Sequence, residues 1–144
     1  MSDSDETCWR EGLRLAETGQ HWEAHEAIEE MWRARPPGAL RECLQALIQT
    51  FAVAYKIVQA QENRSASAMQ RGMARLITSA RGHLDASRGG AARPRWAGAI
   101  ESALGDLEQV LRDWESGALS TAGASRSADA VIAALVERLP DRPE

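Results

Sequence analysis

LRECLQALIQTFAVAYKIV, residues 40–58, is the longest apolar stretch of the chain, and its periodicity is helical. Leu44, Leu47, Ile48, Phe51, Ala54 and Tyr55 recur at three- and four-residue steps and fall on one arc of a helical wheel. Arg41, Gln45, Gln49 and Lys56 fall within about 80° of one another beside that arc. Charges interrupt the run, so it is too short to span a bilayer, which takes roughly 18 uninterrupted apolar residues. A helix over about Ala39 to Gln61, apolar on most sides and polar along one stripe, belongs inside a bundle.

Outward from it the same period persists. One helix is expected from about Asp5 to Thr18, with Cys8, Trp9, Leu13 and Ala16 on its apolar side and Gly19 ending it. A second covers His21 to Ala34 and stops before Pro36-Pro37-Gly38. Past the third helix, Asn63 to Ser67 reads as a turn, with Ser67 placed to cap a fourth helix to about Ala86. Its inner face takes Met69, Met73, Leu76, Ile77, Ala80 and Leu84. The loop SRGGAARPR follows. A fifth helix begins near Trp96 and runs through Ile100, Leu104, Leu107, Leu111 and Trp114. SGALSTAGAS reads as a flexible link, and a short helix from Ser127 to about Leu139 closes the chain. No segment alternates like a strand and no internal repeat is present, so the expected fold is all-α, a single antiparallel bundle of five or six helices.

Composition narrows the function classes. At 144 residues with 44% hydrophobic side chains and a net charge of −4, the chain suits one soluble domain. The acidic, polar start MSDSDET is unlike a secretory signal, and a cytoplasmic, non-membrane protein is the expectation. Cys8 and Cys43 form no metal or disulfide pattern and read as free thiols. Residues 1–34 carry nine acids against three arginines; residues 64–95 carry Arg64, Arg71, Arg75, Arg81, Arg88, Arg93 and Arg95 against Asp85 alone. Packing of acidic on basic helices explains this better than a nucleic-acid partner, which calls for an overall basic excess. An acidic protein partner stays as an alternative for the arginine-rich stretch. The tryptophan-bearing fifth helix can close the core or seal a homodimer, and the core reading is favoured.

The chemistry concentrates in GQHWEAHEAIEEMWR, residues 19–33. On the wheel, Ala24, Ala27, Ile28 and Met31 face the core, while His25 and Glu29 lie one turn apart at its edge. A carboxylate there can fix the imidazole tautomer and leave the other nitrogen facing outward, as a general base or metal ligand requires. Two glutamines on an apolar helix also need partners when buried. The expectation is therefore a polar pocket between the second and third helices, with His25, Glu26 and Glu29 opposite Gln45, Gln49 and either Arg41 or Lys56. Within it His25 is base or ligand, Glu29 orients it and Glu26 is a second acid. Trp22 and Trp32 wall the site, Glu23 and Lys56 join them in binding a small polar ligand, and the glutamines donate to that ligand. Two alternatives remain: a structural hydrogen-bond network in a non-catalytic interaction module, and a divalent metal at His21, His25 and Glu29 serving a hydrolase-like site. The run lacks the second histidine of a His-Glu-x-x-His zinc protease. Arg33, four beyond Glu29 and three beyond Glu30, supports an ordinary solvated acidic face.

At these residues the chain resembles the bacterial and archaeal domain-of-unknown-function family 309. Gly19, Trp22-Glu23-Ala24-His25-Glu26, Glu29 and Trp32-Arg33 carry its opening signature. Leu44-Gln45-Ala46-Leu47-Ile48-Gln49, Ala54, Lys56, Asn63 and the Ala68–Leu76 segment carry its second half. The resemblance spans about residues 9–86. It implies a compact helical bundle of small cytoplasmic proteins with no established activity. It implies Trp22, Glu23, His25, Glu26, Glu29, Trp32, Gln45, Gln49 and Lys56 as shared positions. His21 stands where the family more often has an aromatic residue, which weakens the metal alternative. Ser67-Ala68 stands where Gly-Ala is usual.

Overall fold

The computed structural model describes residues 1–63, 66–90 and 92–144, and every regular element in them is an α-helix. Six helices follow in chain order: α1 (Asp3–Glu17), α2 (His21–Arg33), α3 (Ala39–Asn63), α4 (Ala66–Ser87), α5 (Ala97–Glu115) and α6 (Thr121–Glu137). The all-α bundle expected from the sequence is the architecture found. α3 lies at its centre, packed against α2, α4, α5 and α6, while α1 closes on α2 and α6.

Local chemistry sets the boundaries. Ser2 caps α1 by accepting from the Asp5 amide, and Asp5 returns the contact to the Ser2 backbone, a capping box that satisfies two otherwise unpaired donors. Gly19, at φ 82°, makes the left-handed turn that lets α2 fold back along α1. The two helices meet where Gly12 leaves room for Ile28, which is fully buried. Asp5 is itself buried and paired with Arg35 at 2.7 Å. Burial works against its charged form, but the Ser2 hydroxyl and amide and the Arg35 guanidinium outweigh it and hold the carboxyl below its ordinary range.

The core runs through every helix and includes Trp9, Ile28, Met31, Leu44, Leu47, Phe51, Ile57, Met73, Ile100 and Leu104. Trp9 packs on Trp96, ring centroids 5.3 Å apart, and donates through Nε1 to the Pro140 carbonyl at 2.8 Å. Trp96 donates likewise to Pro143, and Trp114 to the Thr121 hydroxyl. Trp96 and Trp114 are buried, so the fifth helix closes the chain's own core. Cys8 and Cys43 are free, and burial pushes both thiols up.

Three expectations need correction. Residues 116–125 are not wholly a link: α6 begins at Thr121, with the Ser120 hydroxyl accepting from the Gly123 amide and Gly123, Ala124 and Ser125 buried. Small residues pack that turn closely, which composition alone reads as flexibility. Ser67 lies inside α4, one residue after its start, and does not precede it. The expected turn there also involves Arg64 and Ser65, which fall outside the described residues; so does the side chain of Met69. Finally, the part of the basic segment that is ion-paired across helices meets α5 and not the acidic first helices. Arg81 meets Glu108 at 2.5 Å, and Arg88 and Arg93 converge on Glu101.

Candidate functional site

α2 sets Trp22, His25, Glu29 and Trp32 along the edge of its buried stripe. That stripe is held by Ala24, Ile28 and Met31, all fully buried. The His25 side chain is only 15% exposed, and its Nε2 lies 3.3 Å from Glu29 Oε2. Glu29 in turn accepts from Arg33 at 2.6 Å, so one carboxylate is shared along two turns of helix. Trp22 stacks on the His25 ring at 4.5 Å and leans on Tyr55 of α3 at 5.1 Å. It is nevertheless 42% exposed, unusual for an indole already in contact with two rings. Together Trp22, His25, Glu26, Glu29, Glu30 and Arg33 line a recess of about 380 Å³.

The glutamines are elsewhere. Gln49 donates to the Ser79 hydroxyl of α4 at 3.0 Å, and Gln45 lines a second recess of about 160 Å³ with Trp32, Arg41, Glu42 and His83. The expected seam of His25, Glu26 and Glu29 facing Gln45 and Gln49 is therefore not formed. The reason is geometric. Tyr55 and Arg41 mark the direction of α3 that meets α2, and the glutamines lie roughly 80–120° further round from Tyr55, toward α4. The two tryptophans consequently separate: Trp22 belongs to the first recess and Trp32 to the second, with the Arg41 guanidinium 4.4 Å over its ring. Glu23 is exposed and Lys56 half-buried, and neither lines a recess.

Two further expectations change. His25 Nδ1, the nitrogen that was to face outward, is buried and without a partner. His21 cannot share a metal with His25 across an open face. It is buried, and its Nε2 binds Asp129 of α6 at 2.6 Å, tying the start of α2 to the last helix. Among the described residues no group of three or more His, Cys, Asp or Glu side chains is placed to hold a metal ion.

Sequence reasoning missed His83 and Glu42, whose side chains meet at 2.6 Å between α3 and α4. They are 41 residues apart and neither sits in a dense motif, so only the packing of the two helices reveals the pair.

The geometry defines a helical bundle with two polar recesses flanking the α2–α3 junction. Residues 9–69, which run from α1 into the start of α4, match the model of the family described as Domain of unknown function (DUF309), the family expected from the signature residues. The chain matches no curated protein and no solved structure. Among the described residues no helix is long and apolar enough to cross a membrane.

Proposed function

We propose that the recess beside α2 binds a small polar ligand through a cationic group. The observation that carries this reading is the Trp22 indole, stacked on His25 yet 42% exposed at the mouth of a recess whose lining includes the Glu26 carboxylate. An indole face attracts a cation by about 0.5–2 kcal/mol, depending on desolvation. Arg33 already neutralises Glu29 and Glu30, whereas Glu26 has no cationic partner among the described residues and is free to add its charge.

Binding is better supported than proton transfer. A general base needs a nitrogen open to the substrate. In His25 one nitrogen lies beside Glu29 and the other is buried. The imidazole thus serves as the shelf on which Trp22 rests, with the Glu29 carboxylate 3.3 Å from its Nε2. A structural module is the second reading, favoured by the Glu29 ladder, which is complete without a ligand.

The test is an NMR titration with methylguanidinium chloride to roughly 100 mM, well above the weak affinity expected of so small a probe, against sodium chloride at equal ionic strength. The Trp22 indole N–H resonance, assigned with the Trp22→Phe variant, is expected to move saturably, and Glu26→Gln to abolish the movement. Identical shifts from the two salts would end the proposal.

A further inference from the structure

The second recess has the chemistry of an anion site, and its case is independent of the first. Other half-buried or bridging arginines of the bundle have a carboxylate: Arg35 has Asp5, Arg81 has Glu108 and Arg88 has Glu101. Arg41, half-buried, has none among the described residues. Its guanidinium is instead fixed in place, lying 4.4 Å over the Trp32 ring and donating one Nη1 hydrogen bond to the Arg35 carbonyl at 2.5 Å. The remaining N–H groups of a five-donor fork are left unspent.

Two more groups on the same recess are also unspent. Gln45 makes no hydrogen bond among the described residues, although it sits between two helices. His83 is held by Glu42 through Nδ1 at 2.6 Å, and its opposite nitrogen, Nε2, has no partner among the described residues. The one carboxylate on the recess, Glu42, is thus engaged by the imidazole. A fixed guanidinium and a free amide, walled by an imidazole that Glu42 holds in place, give a recess of about 160 Å³ a donor set matched to a planar or tetrahedral oxyanion.

We propose that the recess formed by Trp32, Arg41, Gln45 and His83 binds the carboxylate or phosphate group of a small ligand, with Arg41 as the principal donor. Arg41 pairs with two oxygens or bridges them, Gln45 donates its amide N–H, and His83 closes the third side. The Trp32 ring holds the guanidinium flat against the wall of the recess, so little side-chain freedom is lost on binding.

The experiment titrates the protein with sodium phosphate and, separately, sodium acetate, against sodium chloride at equal ionic strength. The readout is the His83 ring and Trp32 indole signals by NMR. Saturable shifts with a dissociation constant on the order of 1–10 mM are expected for a bare ion. Stronger response to phosphate assigns a phosphate ester as the natural group; stronger response to acetate assigns a carboxylate. Arg41→Gln is expected to weaken binding about tenfold, the loss of one charge-assisted contact. Because Arg41 also supports the Arg35 carbonyl, Gln45→Ala provides a second variant that breaks no hydrogen bond among the described residues, and it is expected to weaken binding several-fold. Arg75→Gln, at an exposed arginine of α4 away from the recess, is expected to change nothing. The proposal is overturned if neither anion shifts these signals beyond chloride. Equal weakening by Arg75→Gln and Arg41→Gln would also overturn it, because diffuse surface charge would then explain the binding.

Discussion

Trp9→Ala is expected to lower the unfolding free energy by about 3–5 kcal/mol, the range for removing a fully buried aromatic side chain. The side chain is 0% exposed and joins the two ends of the chain. It packs on Trp96 and donates to the Pro140 carbonyl, while Trp96 itself donates to Pro143. Truncation leaves a cavity and removes a long-range hydrogen bond 131 residues apart in sequence. A fall in Tm on the order of 10 °C should accompany it for a chain of this size. Trp9→Phe separates the two contributions, keeping most of the packing and losing the hydrogen bond, with an expected cost of roughly 1–2 kcal/mol. Urea unfolding of the three proteins checks the ranking. A Trp9→Ala protein within 1 kcal/mol of wild type would show that α1 does not clasp the C-terminal segment as described.

Gly12→Val carries the next largest effect. A β-carbon at Gly12 would lie 2.6 Å from Ile28 Cδ1 and 2.9 Å from Cγ1, closer than real side chains approach. Gly12 has no positive φ, so conformational freedom is not the reason glycine stands there; close approach of α1 to α2 is. Helix propensity would favour replacement by about 1 kcal/mol in alanine's case. Overpacking against a fully buried Ile28 is expected to reverse the sign and cost about 2–3 kcal/mol with valine. Ile28→Ala alone is expected to cost about 2–5 kcal/mol by leaving a cavity. Combined, the two changes exchange volume across one contact, and the double variant should recover at least roughly 1 kcal/mol relative to their sum. Additive losses in chemical denaturation would show that the residues do not meet.

The fold was legible because local signals agree. The 40–58 stretch contains one period and one stripe, Gly19 and the 36–38 turn end α1 and α2, and the leucines of α5 are regularly spaced. Composition alone shortens α6, because Gly123, Ala124 and Ser125 resemble a linker. Their burial depends on how closely α6 lies on its neighbours, which no local window contains. The site was legible at the level of one helix. His25 beside Glu29, and Glu29 beside Arg33, follow from the four-residue repeat of α2 alone. What failed was the pairing between helices. Gln45 and Gln49 stand about 40° and 80° round the wheel from Arg41, and Arg41 reaches α2 while Gln49 reaches α4. A long flexible guanidinium spans a groove that a glutamine cannot, so side-chain reach, and not only angle, decides the partner. His83 with Glu42 lay beyond any local reading, since two separate helices must first be placed.

If His25 supports a ligand-binding shelf and is not a structural strut, His25→Ala separates the two roles when melting and methylguanidinium titration are measured on the same sample. The expected melting temperature lies within about 2 °C of wild type, under 1 kcal/mol for a chain of this length, with the saturable Trp22 shift lost. A fall matching about 1–3 kcal/mol, the cost of stranding buried polar partners, with the titration unchanged, would contradict it and make the His25–Glu29 pair part of the frame.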